Sequence, residues 1–89
     1  MISKDIEIIN KLGLHARAAA KLVSTAGQFS SMVQLIKGNQ KINAKSIMGV
    51  MMLAASKGTV LTFEIEGPDE QDALNALTEL VNDRFGEEE

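Results

Sequence analysis

Apolar and polar positions alternate at the start of the chain. Ile2, Ile6 and Ile8 are interleaved with Ser3, Asp5 and Glu7, a period of two that predicts a half-buried strand. Gly13-Leu14 breaks it. From Ala16 to Ala26 the period changes. Ala19, Leu22, Val23 and Ala26 stand at i, i+3, i+4 and i+7, which predicts a helix in an alanine-rich stretch. Gly27 is placed to end that helix in the left-handed conformation other residues avoid. Met32–Lys37 predicts a second strand, with Val33 and Leu35 on one face. Gly38-Asn39 is a two-residue turn signal and Gln40–Asn43 a short returning strand, so the pair predicts a hairpin. Ser46 to about Leu53 predicts a short helix with Ser46 at its N-cap. Lys57-Gly58 turns into Thr59–Glu66, where Leu61, Phe63 and Ile65 alternate with Val60, Thr62 and Glu64. After Gly67-Pro68, Asp69 is expected to cap a last helix, with Glu70 and Asp72 near the positive end of its dipole. Ala73, Leu74, Leu77, Leu80 and Val81 form its apolar stripe, and Phe85 is expected to close the end of the core.

The resulting order is β-α-β-β-α-β-α. The tight hairpin excludes a βαβ unit at every step, so the expected class is α+β, a two-layer sandwich with helices on one face of a mostly antiparallel sheet. At 89 residues, with no linker or internal repeat, the chain is expected to be one domain spanning 1–89.

Composition narrows the function classes. There is no cysteine, hence no disulfide, thiolate nucleophile or cysteine metal site. A disulfide-free small domain suits the cytoplasm. With one histidine and no cysteine, neither a metal nor another cofactor is expected. Trp and Tyr are absent and Phe occurs three times, so platforms for stacking nucleic-acid bases are poorly supplied. Nine basic against twelve acidic residues give a net charge of −3, which argues against nucleic acid as a partner. No signal peptide is visible. The longest nearly apolar run, Ile47–Ala55, falls far short of the roughly 20 residues a membrane span needs. The acidic segment Gly86–Glu89 is expected to fray into solvent.

His15 is the only histidine, and it stands immediately before the alanine-rich helix. One reading is a surface histidine in the place of a helix cap. A second uses the helix end: its unpaired N–H groups and dipole favour an anion, and the same field favours neutral imidazole, a nucleophile near neutral pH. Arg17 adds a planar donor fork suited to phosphate. The stretch Ile47-Met48-Gly49-Val50-Met51-Met52-Leu53 is apolar nearly all round. Val50, Leu53 and Ala54 can face the core together, leaving Ile47, Met48 and Met51 either buried elsewhere or exposed as a docking patch. Ser46 is a routine helix cap. It is also a position where a phosphate would add charge beside that patch without breaking the fold.

Gly13-Leu14-His15-Ala16-Arg17 together with Lys45-Ser46-Ile47-Met48-Gly49-Val50-Met51 resembles the histidine-containing phosphocarrier (HPr) family of the bacterial phosphotransferase system. The likeness spans essentially the whole chain. It implies an open-faced β-sandwich, four antiparallel strands covered on one face by three helices. It implies a carrier that is not an enzyme. His15 would accept a phosphoryl group on Nδ1 from phospho-Enzyme I and pass it to Enzyme IIA domains, with Arg17 neutralising phosphate charge. Ser46 matches the regulatory serine modified by HPr kinase/phosphorylase. Leu14, Ala16, Ala20, Ile47, Met48 and Met51 would form the docking surface, on a molecule expected to be a monomer. Two positions depart from the family pattern: Ala18 stands where proline is frequent, and Ala20 where serine or threonine is. An alanine-rich version also resembles carriers of the nitrogen-related branch. The alternative function is therefore a regulatory interaction module without a role in sugar uptake.

Overall fold

The computed structural model describes all residues, Met1–Glu89. Strand β1 is Ile2–Glu7, helix α1 Ala16–Ala26, β2 Met32–Lys37, β3 Gln40–Asn43, helix α2 Ile47–Met52, β4 Val60–Glu66 and helix α3 Glu70–Asn82. A 3₁₀ turn over Arg84–Gly86 follows. The four strands form one sheet in the order β1-β4-β2-β3. Every pairing is antiparallel: Ile6 lies opposite Leu61, Leu35 opposite Phe63, and Lys37 opposite Gln40 across the Gly38-Asn39 hairpin. The three helices cover one face, which makes the α+β two-layer arrangement expected from the periodicity and the open-faced sandwich implied by the resemblance.

The alternating positions explain the layers. Leu61, Phe63 and Ile65 point from β4 into the core, as do Val33 and Leu35 from β2. They meet Ala18, Ala19, Leu22 and Ala26 of α1 and Ala73, Leu77 and Val81 of α3, with Phe85 fully buried at the end of α3. No helix is long and apolar enough to cross a membrane.

Four local expectations are corrected. Gly27 is right-handed, at φ −67°, and its N–H donates to the Val23 carbonyl. The chain leaves α1 through further short bonds, Gln28 N–H to Thr25 O and Phe29 N–H to Ala26 O, so no left-handed residue is needed. Asp69 stands at the start of α3 but its side chain makes no cap. Its carboxylate instead accepts from the Ser30 N–H, the Ser31 N–H and the Ser31 hydroxyl, while Glu70 accepts from the Gly67 N–H at 3.2 Å. Gly67, at φ +153°, passes so close to Ser31 that a Cβ there would meet its Oγ at 2.5 Å. Ala54 is exposed and left-handed, at φ +50°. It turns the chain out of α2 so that Ala55 enters the core in its place. Finally, the acidic segment 86–89 folds back onto the molecule. The Lys11 N–H donates to the Glu89 backbone oxygen at 2.5 Å, and Lys11 Nζ lies 3.2 Å from the Glu89 carboxylate.

Candidate functional site

The site is built on the turn between β1 and α1. Gly13 adopts φ +66°, and a Cβ there would meet the Ala55 carbonyl oxygen at 2.5 Å and Ser56 Cα at 2.8 Å. A side chain is excluded on both counts. The close approach lets the Leu14 N–H donate to the Ala55 carbonyl at 2.8 Å. Asn10, fully buried, braces the same turn by donating from Nδ2 to the Gly13 carbonyl at 2.8 Å.

That turn delivers His15 to the N-cap of α1 in extended conformation, φ −71° and ψ 177°. Its carbonyl accepts from the Ala19 N–H, but its side chain caps nothing. The N–H groups of Ala16, Arg17 and Ala18 have no acceptor within the chain, and those of the exposed Ala16 and Arg17 stand where a helix start can receive an anion. Arg17 and the small residues Ala16 and Ala20 are exposed around this helix end. Ala18 is buried in the core.

The imidazole is 26% exposed. Its Nε2 meets the Glu87 carboxylate through Oε2, and Glu87 Oε1 accepts from Asn10 Nδ2 at 3.0 Å. The Asn10 hydrogen bond is the main reason the Glu87 carboxyl is held below its ordinary value; the bond to His15 and the charge of Arg17 act in the same direction. Glu87 is thus a firmly ionised carboxylate touching the ring. Around it lies an open hollow of about 440 Å³ lined by Lys11, Leu12, His15, Arg17, Glu87, Glu88 and Glu89.

Ser46 caps α2, its Oγ accepting from the Gly49 N–H at 3.2 Å. Gly49 fits because a Cβ there would press on Ile42 and on Ser46 itself. Val50 is buried beneath the helix while Ile47, Met48 and Met51 are exposed, as is Met52 at 70%. Helix α2 packs against α1, so this apolar surface adjoins the helix that begins at His15. Leu14, expected on the docking surface, is 5% exposed and belongs to the core. Its neighbours take the surface positions because the turn is pinned inward at Ala55.

Asn10 and Glu87 were not evident as site residues in the sequence. Glu87 is 72 residues from His15 in a run of three acids that carries no periodic signal. Asn10 had one faint mark, a polar residue closing an alternating apolar strand.

Comparison with known proteins matches residues 2–83 to the family model described as PTS HPr component phosphorylation site. The phosphocarrier protein HPr of Neisseria meningitidis serogroup B is 57% identical over 89 residues, covering 100% of both chains. Among solved structures, HPr from Thermoanaerobacter tengcongensis superposes with a TM-score of 0.96 at 52% identity, again covering 100% of both chains. A dimer of HPr from the same organism gives a TM-score of 0.79 at 52% identity, covering 98% of this chain and 100% of the other.

Proposed function

The chain belongs to the HPr family of phosphotransferase-system phosphocarriers, and from that premise we propose that His15 accepts a phosphoryl group on Nδ1 from phospho-Enzyme I and passes it to Enzyme IIA domains in the cytoplasm. The observation that carries this reading is the placement of the only imidazole at the open start of α1, beside three N–H groups with no acceptor.

The step is an in-line exchange. The Nδ1 lone pair forms an N–P bond while the bond from phosphorus to the donor breaks, its electron pair remaining on the donor. A phosphoryl group on Nδ1 then brings two or more negative oxygens to the helix end. An exposed helix end is worth about 0.3–1 kcal/mol toward one charge, and a hydrogen bond from a charged group about 1.5–3 kcal/mol. The helix end and the Arg17 guanidinium would together hold that charge. Both terms are modest, which suits a carrier that must release what it accepts.

Ser46 is read as a regulatory phosphorylation site for a kinase of the HPr kinase/phosphorylase type. A phosphate there would sit beside exposed Ile47, Met48 and Met51 and add about −1.5 to −2 charges. Those three residues, with Ala16 and Ala20, form the proposed docking surface for Enzyme I and Enzyme IIA. The test is direct. Incubation with phosphoenolpyruvate and Enzyme I should add one acid-labile, base-stable phosphate by mass, and none to His15→Ala. Acid-labile phosphate on the variant would refute the assignment.

A further inference from the structure

We propose that Glu87 is a positioning residue for phosphoryl transfer, its carboxylate taking the Nε2–H of His15 so that Nδ1 carries the reactive lone pair. This rests on His15 being the acceptor and adds what selects the nitrogen. A neutral imidazole has one N–H and one lone pair, and an ionised carboxylate can only accept. Contact between Glu87 Oε2 and Nε2 therefore fixes the hydrogen on Nε2 and covers that nitrogen.

The carboxylate is itself held. Asn10 donates to Glu87 Oε1 at 3.0 Å and to the Gly13 carbonyl at 2.8 Å from one fully buried amide. The strap that carries Glu87 is tied to the turn that carries His15 at a second point, where the Lys11 N–H donates to the Glu89 backbone. Ring and carboxylate therefore keep their relation from a common footing. The role of a second group that orients a reacting imidazole through its other nitrogen is a recurrent device.

The pairing serves both directions of the exchange. When Nδ1 bonds to phosphorus, the ring gains positive charge while the proton stays on Nε2 against Glu87. When the N–P bond breaks, its electron pair returns to Nδ1 and the ring departs as neutral imidazole. Were Nε2 bare, the departing group would be an imidazolate, a far poorer one. No further reactant is consumed. The other charged groups facing the ring are Lys11 and Arg17 of opposite sign to Glu87, and Glu88 and Glu89 of the same sign.

The test compares the wild-type chain with Glu87→Ala and Glu87→Gln. Each is phosphorylated with phosphoramidate, a small donor that imposes no docking geometry, and the isomer is read by phosphorus NMR. Wild type should carry phosphate on Nδ1. Glu87→Ala, with Nε2 uncovered, should show at least a tenfold larger share of the Nε2 isomer. In Glu87→Gln the shape remains and the charge is gone, so the pH above which phosphoryl loss slows should fall by about one unit or more. The same nitrogen and the same pH profile in all three proteins would overturn the role of Glu87 alone. Absence of label from His15 in all three would overturn the acceptor reading itself.

Discussion

At the scale of single residues, the observed cap at Ser46 and its proposed regulatory role separate by substitution. Its Oγ caps α2 through the Gly49 N–H, and loss of such a cap costs about 0.5–2 kcal/mol. Ser46→Ala should lower the melting temperature by roughly 4–8 °C per kcal/mol lost in a chain of this size. Ser46→Asp keeps a capping oxygen and should melt close to wild type while binding Enzyme I more weakly, measured by calorimetric titration. Equal affinity for Enzyme I would remove the basis for a switch at this position. Residue identity foretold the Ser46 cap because serine at a helix start acts on its own near neighbours. It could not foretell Glu87, whose partners are His15 and Asn10. Such a contact depends on where the chain returns after α3, and no local pattern encodes that. Leu14 erred for a related reason: its place in a motif says nothing of which way the turn faces.

Among the elements, the join between β2 and α3 has its own titratable tie. The Asp69 carboxyl is held below its ordinary value, first by the Ser31 hydroxyl and then by the backbone N–H of Ser30. A carboxyl lowered by folding stabilises the folded state above the ordinary carboxylate range. That contribution disappears as pH falls through the lower, folded value. Wild type should therefore lose urea resistance progressively below about pH 5. Asp69→Asn should begin less stable and show a shallower acid limb. The slope should not vanish, because Glu87 is lowered in the same direction. An acid limb as steep as that of wild type would rule out the Asp69 tie. The elements themselves were largely legible. Alternation marked β1, β2 and β4, Gly38-Asn39 marked the hairpin, and the stripe of α3 marked its buried side. The element ends were harder, since Gly27 and Asp69 are residues with more than one favourable use. A glycine can simply continue a right-handed turn, and an aspartate can reach across to another loop.

Across the whole molecule, the site depends on the end of the core farthest along the chain. Phe85 is fully buried, and Lys21 Nζ donates to its carbonyl at 2.7 Å. Arg84 and Phe85 are both left-handed, at φ +54°, a conformation that non-glycine residues keep only when packing repays it. Phe85 is therefore the anchor that turns the following segment toward His15. Phe85→Ala should cost about 3–5 kcal/mol, a large part of the 5–15 kcal/mol typical of a folded domain. Urea unfolding should show the loss, and a drop under about 1 kcal/mol would mean that the ring is replaceable. The strand order β1-β4-β2-β3 could not be read from periodicity, which assigns faces to strands and is silent on neighbours.

The bare backbone at Gly13 has one more consequence. Because that turn lies directly against Ala55 and Ser56, joined by the Leu14–Ala55 bond, the loop leaving α2 and the loop entering α1 form a single seam. Neither can shift without dragging the other. On the proposed docking reading, pressure on the methionine surface would be felt at the histidine's perch through that seam.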